Sequence, residues 1–345
     1  MDTAALDLSA VVFPELNAER CVHASLPHAS CRACVDACPR YAWILGESAL
    51  RFNEYACDEC GLCVPVCPQQ AIRLPMVFEQ REVAGEAAMM AHCHFSGVED
   101  KAGQIPCLHA IGLTEVLHAW SHGQRVWIIR RGDCGNCNRA KCVRLDSRVA
   151  ALNSVLLAHG LPKVILRDLS AAAWSRLLSG PKVKASESRR RFLSVLGGCP
   201  VKTLARNGHD NAGKKPLAPG EYLPEKLDAS LPWHVQIDPA RCIACHACAR
   251  VCPQNAIEQV EGDIPAYQLH HRLCTGCGLC RGVCSHDAVS LRIWEKPRTN
   301  QLVLRNHHCN WCGVSFQAPV GRGNISTCLI CASASPKRNL RQVVS

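Results

Sequence analysis

Long apolar runs are missing from this sequence. Hydrophobic residues make up 48% of its 345 positions, yet no stretch approaches the roughly 20 apolar residues that a membrane-spanning helix needs. The first twenty residues, MDTAALDLSAVVFPELNAER, carry two aspartates and two glutamates. They offer no basic region ahead of an apolar core, so no secretory signal is expected. Three motifs are also absent: a Gly-rich phosphate loop of the Walker type, a Gly-x-Gly-x2-Gly turn between strand and helix, and the Glu-flanked histidine pair of a zinc hydrolase. No self-sufficient catalytic site is therefore expected. A soluble, cytoplasmic chain without a membrane span is the first reading.

Cysteine is abundant instead, with 26 in the chain. In a small secreted protein that count would indicate a disulfide scaffold. Here the spacing points to metal. CDECGLCVPVCPQ sets Cys57, Cys60, Cys63 and Cys67 at Cys-x2-Cys-x2-Cys-x3-Cys, CIACHACARVCPQ repeats the spacing at Cys242, Cys245, Cys248 and Cys252, and CTGCGLCRGVCS at Cys274, Cys277, Cys280 and Cys284. This run wraps a cubane [4Fe–4S] cluster: three thiolates on one tight loop grip three irons, and the fourth reaches a neighbouring cluster.

Composition divides the chain into five segments. Residues 1–80 hold eight cysteines, 81–180 have an α/β pattern, and 181–232 are basic and rich in Gly and Pro, as a linker would be. Residues 233–295 hold eight more cysteines, and 296–345 hold two Cys-x2-Cys pairs. The first and fourth segments form an internal repeat, each with two cysteine runs and a closing apolar stretch. The expected fold class is α+β and multidomain: two cluster modules flanking a small α/β domain, with a C-terminal zinc ribbon.

The fourth segment resembles a bacterial two-cluster ferredoxin over about 55 residues. In that family the last cysteine of each run crosses over. The resemblance implies Cys242, Cys245, Cys248 and Cys284 on one cluster, and Cys274, Cys277, Cys280 and Cys252 on the other. Pro253 follows Cys252 as in the family, whereas Ser285 follows Cys284. The N-terminal segment is less regular. By the same crossing, Cys38 joins Cys57, Cys60 and Cys63. Its first run, HASCRACVDACPR, has His28 where the first cysteine belongs. Cys31, Cys34 and Cys67 then need a fourth ligand. Cys21 is the first candidate, His28 the second, and a three-iron cluster without a fourth ligand the third.

In the middle segment, IGLTEVLHAWSH (111–122) has helical periodicity, RVWIIR (125–130) reads as a buried strand, and RVAALNSVLLAHG (148–160) as a helix closed by Gly160. KVILRD (163–168) is a second strand and AAAWSRLLSG (171–180) a third helix, together a small parallel α/β layer. Cys93, Cys107, Cys134 and Cys137 fall near element ends and are candidates for a [2Fe–2S] cluster or a zinc ion. Cys142 is a fifth candidate, and His92, His94 and His109 are substitutes. The C-L-H, helix, strand, D-C-x2-C arrangement resembles the delta iron–sulfur subunit that couples certain hydrogenases and formate dehydrogenases to heterodisulfide reductase.

In the last segment, HHCNWCGVSF and STCLICAS place Cys309, Cys312, Cys328 and Cys331 as two knuckles, the pattern of a tetrahedral sulfur site for zinc, with mononuclear iron as the alternative. Cys199 stays unassigned. Residues 188–193, SRRRFL, match a twin-arginine export consensus but lack a following apolar region. They read as a chance match in a basic stretch. Net charge is +10, concentrated in residues 181–226 and 292–345, which suits a solvated linker and tail, or docking to an acidic partner or to nucleic acid.

These features favour an electron-transfer subunit serving a redox enzyme, such as a molybdenum or tungsten oxidoreductase (formate dehydrogenase among them) or a hydrogenase. The alternatives are a maturation factor for such an enzyme and, more weakly supported, a nucleic-acid-binding redox sensor. Nucleic acid is not the expected partner.

Overall fold

A computed structural model describes residues 12–26, 29–47, 49–139, 144–179, 216–224, 230–323 and 325–333. His28, Cys142, Cys199 and the 188–193 motif lie outside the described residues. The chain divides into two units, Met1–Leu227 and Asp228–Ser345.

The first unit opens with the N-terminal cysteine module. Strand β1 (Glu15–Leu16) pairs antiparallel with β4 (Ile72–Arg73), and β2 (Trp43–Leu45) forms a hairpin with β3 (Leu50–Phe52). Two short helices, α1 (Val22–Ser25) and α2 (Ala33–Ala37), lie between β1 and β2. The core is small: Trp43, Cys63 and Ile72 are buried, with Leu16, Cys34, Cys38, Phe52 and Cys67 packed against them. A module of this size buries little apolar surface, so cysteine chemistry must supply much of its stability.

The rest of the first unit is an α/β layer. Strands β5 (Glu79–Val83), β6 (Glu86–Cys93), β8 (Val126–Arg130) and β9 (Ile165–Asp168) lie side by side in that order, and β7 (Gln104–Ile105) also pairs with β6. β6, β7, β8 and β9 are parallel, whereas β5 runs antiparallel to β6. Helices α3 (Leu113–Ser121), α4 (Leu145–Ala158) and α5 (Ala171–Leu178) complete the layer. β8 is buried along Val126–Ile129, as parallel strands covered on both faces are.

Sequence periodicity does not mark the β5–β6 hairpin. Its sequence, EQREVAGEAAMMAHC, is rich in helix-favouring Glu, Ala and Met. Ala84 and Gly85, at φ 54° and 80°, instead turn the chain, and both are the left-handed positions of a two-residue hairpin. Residues 216–224 also depart from a plain linker. Ala218, Pro219, Gly220 and Leu223 are buried, and the Tyr222 ring meets His118 of α3 edge-on at 5.8 Å.

In the second unit, β10 (His234–Ile237) pairs with β13 (Val289–Arg292), and β11 (Ile257–Val260) forms a hairpin with β12 (Ala266–Leu269). This is the strand plan of the N-terminal module repeated. Helices α6 (Ala247–Arg250) and α7 (Leu279–Gly282) carry cysteines. The final segment does not stand apart from the module. Strand β14 (Gln301–His308) pairs with β12 on one side and β15 (Ser315–Pro319) on the other. Leu302 and Leu304 enter the same core as Val235, Ile237, Tyr267 and Leu269. A short last helix, α8 (Leu329–Ser333), carries Cys331.

Candidate metal centres

Three cavities are each lined by one set of four cysteines. Cys242, Cys245, Cys248 and Cys284 line one, beside Tyr267. Cys252, Cys274, Cys277 and Cys280 line the next. Cys21, Cys31, Cys34 and Cys67 line the third. Each set joins residues far apart in sequence, which is the crossed pattern of two-cluster ferredoxins. Cys38, Cys57 and Cys63 lie close enough for mutual charge repulsion, and Cys60 is buried on the same loop.

Local backbone explains how the loops close. In each complete run the second and fourth residues after the first cysteine are left-handed: Glu59 and Gly61, Ala244 and His246, Gly276 and Gly278, all with φ between 54° and 80°. Such residues in series curl the backbone so that N–H groups face inward, forming a nest for anionic sulfur. Glu59 N–H donates to Cys57 Sγ at 3.3 Å and Ala244 N–H to Cys242 Sγ at 3.5 Å. The irregular first run differs: Arg32, four residues after His28, has φ −128°. That loop does not curl in the same way, and Cys21 at the start of α1 lines the cavity.

A second device recurs at the crossing cysteines. Cys38, Cys67, Cys252 and Cys284 each accept an N–H from the alanine four residues on, at 3.2–3.3 Å from Ala42, Ala71, Ala256 and Ala288. The residue before each alanine (Tyr41, Gln70, Asn255, Asp287) has φ between 46° and 55°. The signal in sequence is Cys-Pro-x2-Ala, with serine for proline after Cys284. Its fourfold recurrence is a marker that the cysteine count alone overlooks.

Burial pushes the thiols of Cys34, Cys63, Cys248 and Cys274 up to about 12, and those of Cys60 and Cys280 strongly upward. A buried thiol without a positive neighbour stays protonated. Metal replaces those protons on binding, so affinity is tied to pH. Within each module the two sites are neighbours. Cys34 feels charge on Cys63, and Cys280 feels charge on Cys248.

The tail quartet has a different geometry. The sulfurs of Cys309, Cys312, Cys328 and Cys331 all lie within 4.8 Å of one another, and Cys312 Sγ is 3.8 Å from Cys328 Sγ. A tetrahedral ion with metal–sulfur bonds of about 2.3 Å places its ligands about 3.8 Å apart. Backbone N–H groups of Cys328, Cys312 and Trp311 converge on the Cys309 sulfur and draw its thiol down. Among the described residues, this is the only group of three or more His, Cys, Asp or Glu close enough to share a single ion.

The middle candidates meet at the carboxyl edge of the parallel strands. Cys93 ends β6, Cys107 follows β7, and Cys134 and Cys137 follow β8. All four line one cavity of about 520 Å³. His109 lines it too, but its Nδ1 accepts the Leu145 N–H at 3.2 Å. His92 is bonded through Nδ1 to Ser96 Oγ at 2.9 Å, and its ring meets Trp174. Neither His92 nor His94 lines the cavity. No motif in the sequence marks Arg139. Its guanidinium donates to the Asp58 carboxylate at 3.0 Å and to Asp58 O at 2.6 Å.

Two 4Fe-4S dicluster domain models match this chain, over residues 29–72 and 235–291. Pyruvate synthase subunit PorD of Thermotoga maritima is 38% identical over 52 residues, 15% of this chain and 50% of that protein. A ferredoxin of Rickettsia felis is 48% identical over 40 residues, 12% and 37% of the two chains. Hydrogenase-4 component A of Escherichia coli is 43% identical over 53 residues, 14% and 24%. The chain spans half or less of the length of these curated relatives. It carries two [4Fe–4S] dicluster ferredoxin modules, at residues 29–72 and 235–291. Among the described residues no helix is long and apolar enough to cross a membrane.

Proposed function

We propose that this chain is a multi-cluster electron-transfer subunit with four [4Fe–4S] clusters. Cys21, Cys31, Cys34 and Cys67 hold the first, and Cys38, Cys57, Cys60 and Cys63 the second. Cys242, Cys245, Cys248 and Cys284 hold the third, and Cys252, Cys274, Cys277 and Cys280 the fourth. The observation that carries this reading is the set of three cavities, each lined by four cysteines drawn from separate runs. The clusters supply the one-electron chemistry when bound. The chain fixes their spacing, and its backbone N–H groups, donated to cysteine sulfur, tune their potentials.

The tail quartet holds zinc in this reading, because its sulfur spacing fits one tetrahedral ion. The middle quartet holds a [2Fe–2S] cluster in this reading, with its four cysteines around one cavity of about 520 Å³ at the carboxyl edge of the strands. The partner is a redox enzyme, a molybdenum or tungsten oxidoreductase or a hydrogenase. Support comes from relatives whose names describe a pyruvate synthase subunit and a hydrogenase component. The reading assigns the chain to the cytoplasm, where thiols stay reduced and able to hold metal.

The test is a reductive titration of the anaerobically purified chain followed by EPR, then mixing with the reduced partner enzyme. Reversible reduction of several [4Fe–4S] centres and transfer within the enzyme's turnover time are expected. Clusters that do not reduce, or that form only on immature enzyme, would favour the maturation role instead.

A further inference from the structure

One cluster loop of the N-terminal module forms a wall of the middle cavity. Asp58, between Cys57 and Cys60, lines that cavity together with Arg40, two residues beyond Cys38. No residue of the Cys21, Cys31, Cys34 and Cys67 set does so. The loop is packed along the 106–112 segment. Cys60, Leu62 and Cys107 form one buried cluster. A Cβ on Gly61 would come within 3.1 Å of Ala110 Cβ, and one on Gly112 within 3.1 Å of Pro65 Cβ. At these points the loop and the segment are in close contact, with no space for an added side chain.

Arg139 fastens the same junction. Besides its two bonds to Asp58, it donates to Pro106 O at 3.2 Å, immediately before Cys107. Its guanidinium also lies 5.0 Å from the centre of the Phe95 ring, two residues after Cys93, and Arg139 itself lies two residues after Cys137. One side chain therefore touches the neighbours of two middle-site cysteines and of the cluster loop, from a position beside a third. The planar fork of arginine suits such multiple bonding, which a lysine cannot reproduce.

We infer that the middle site is the redox outlet of the N-terminal module: a centre held by Cys93, Cys107, Cys134 and Cys137 exchanges electrons directly with the cluster on Cys38, Cys57, Cys60 and Cys63. This rests on the reading that both sites hold iron–sulfur clusters. One electron leaves the reduced cubane and enters the oxidised binuclear centre, so the first is oxidised and the second reduced by one unit. No bond forms and no proton moves. Cys60, Leu62 and Cys107 provide the packed path, and Arg139 is a positioning residue that holds its two sides together. The cluster on Cys21, Cys31, Cys34 and Cys67 reaches the middle site only through its neighbour.

The experiment uses the full-length chain, purified anaerobically, with EPR relaxation measured during stepwise reduction. The C134S/C137S double variant identifies the middle centre by the signal and the irons it removes. With that centre and the adjacent cubane both reduced, the middle signal should broaden and its half-saturation power should rise severalfold. Arg139→Gln should weaken this coupling while iron content stays the same. A middle signal that ignores the redox state of the cubane would overturn the junction but leave the cluster assignment standing. Loss of neither iron nor signal in the double variant would overturn the middle centre, and the junction with it.

Discussion

At the scale of single residues, Cys21 bears the most specific claim. It lines the cavity of Cys31, Cys34 and Cys67, ten residues upstream of a run whose backbone does not curl as the other three do. Cys21→Ser should leave that site with three thiolates and convert its cubane to a three-iron form, with loss of about one iron per chain. An EPR signal of a three-iron cluster checks it, and unchanged iron with no such signal would remove Cys21 from the site. Gly276 is constrained twice: φ is 74°, and a Cβ would sit 2.5 Å from Trp233 Cδ1. Gly276→Ala should cost about 1–3 kcal/mol and release the adjacent cluster at lower denaturant, read from its visible absorbance. His234 is buried, and that burial, then the charge of neighbouring His271, hold its imidazole down to about 4. The unfolded chain, with an ordinary value near 6.5, binds this proton first. The contribution of His234 to stability is therefore full above about pH 6.5 and lost as pH falls from about 6.5 to 4. The melting temperature should drop with acid in this window, and the slope should flatten in His234→Gln.

At the scale of elements, the β5–β6 turn offers a direct test. Ala84 is exposed at φ 54°, where an alanine is strained. Ala84→Gly or Ala84→Asn should stabilise the hairpin by up to about 1 kcal/mol, measured by chemical denaturation. Most of the α/β layer was legible because its helices and buried strands have clear periodicity. This hairpin was not, because β6 owes its strand state to β5, β7 and β8 beside it rather than to its Ala- and Met-rich sequence. The attachment of the tail was equally hidden. Nothing local tells that Gln301, Leu302 and Val303 will pair with β12. The C309S/C312S double variant should lose about one zinc per chain while iron is retained, since β14 is held by β12 and by the shared core. Metal analysis by mass spectrometry checks both numbers.

At the scale of the whole molecule, the grouping of the cysteines was the most legible part, because the chain repeats one spacing and three of the expected sets each line one cavity. The middle cysteines could be nominated from element ends, but not their neighbour. Arg139 and Asp58 are 81 residues apart, and only the fold shows that one cluster loop and the Cys107 segment are a single packed surface. A chain loaded with four cubanes has a fixed stoichiometry of iron and sulfide. Iron and acid-labile sulfide per chain, measured after anaerobic purification with Mössbauer spectra to type the clusters, test it most directly. About sixteen irons in [4Fe–4S] clusters are expected, and about eighteen with the binuclear middle centre. A fully loaded preparation holding only about eight irons, in one module alone, would contradict it.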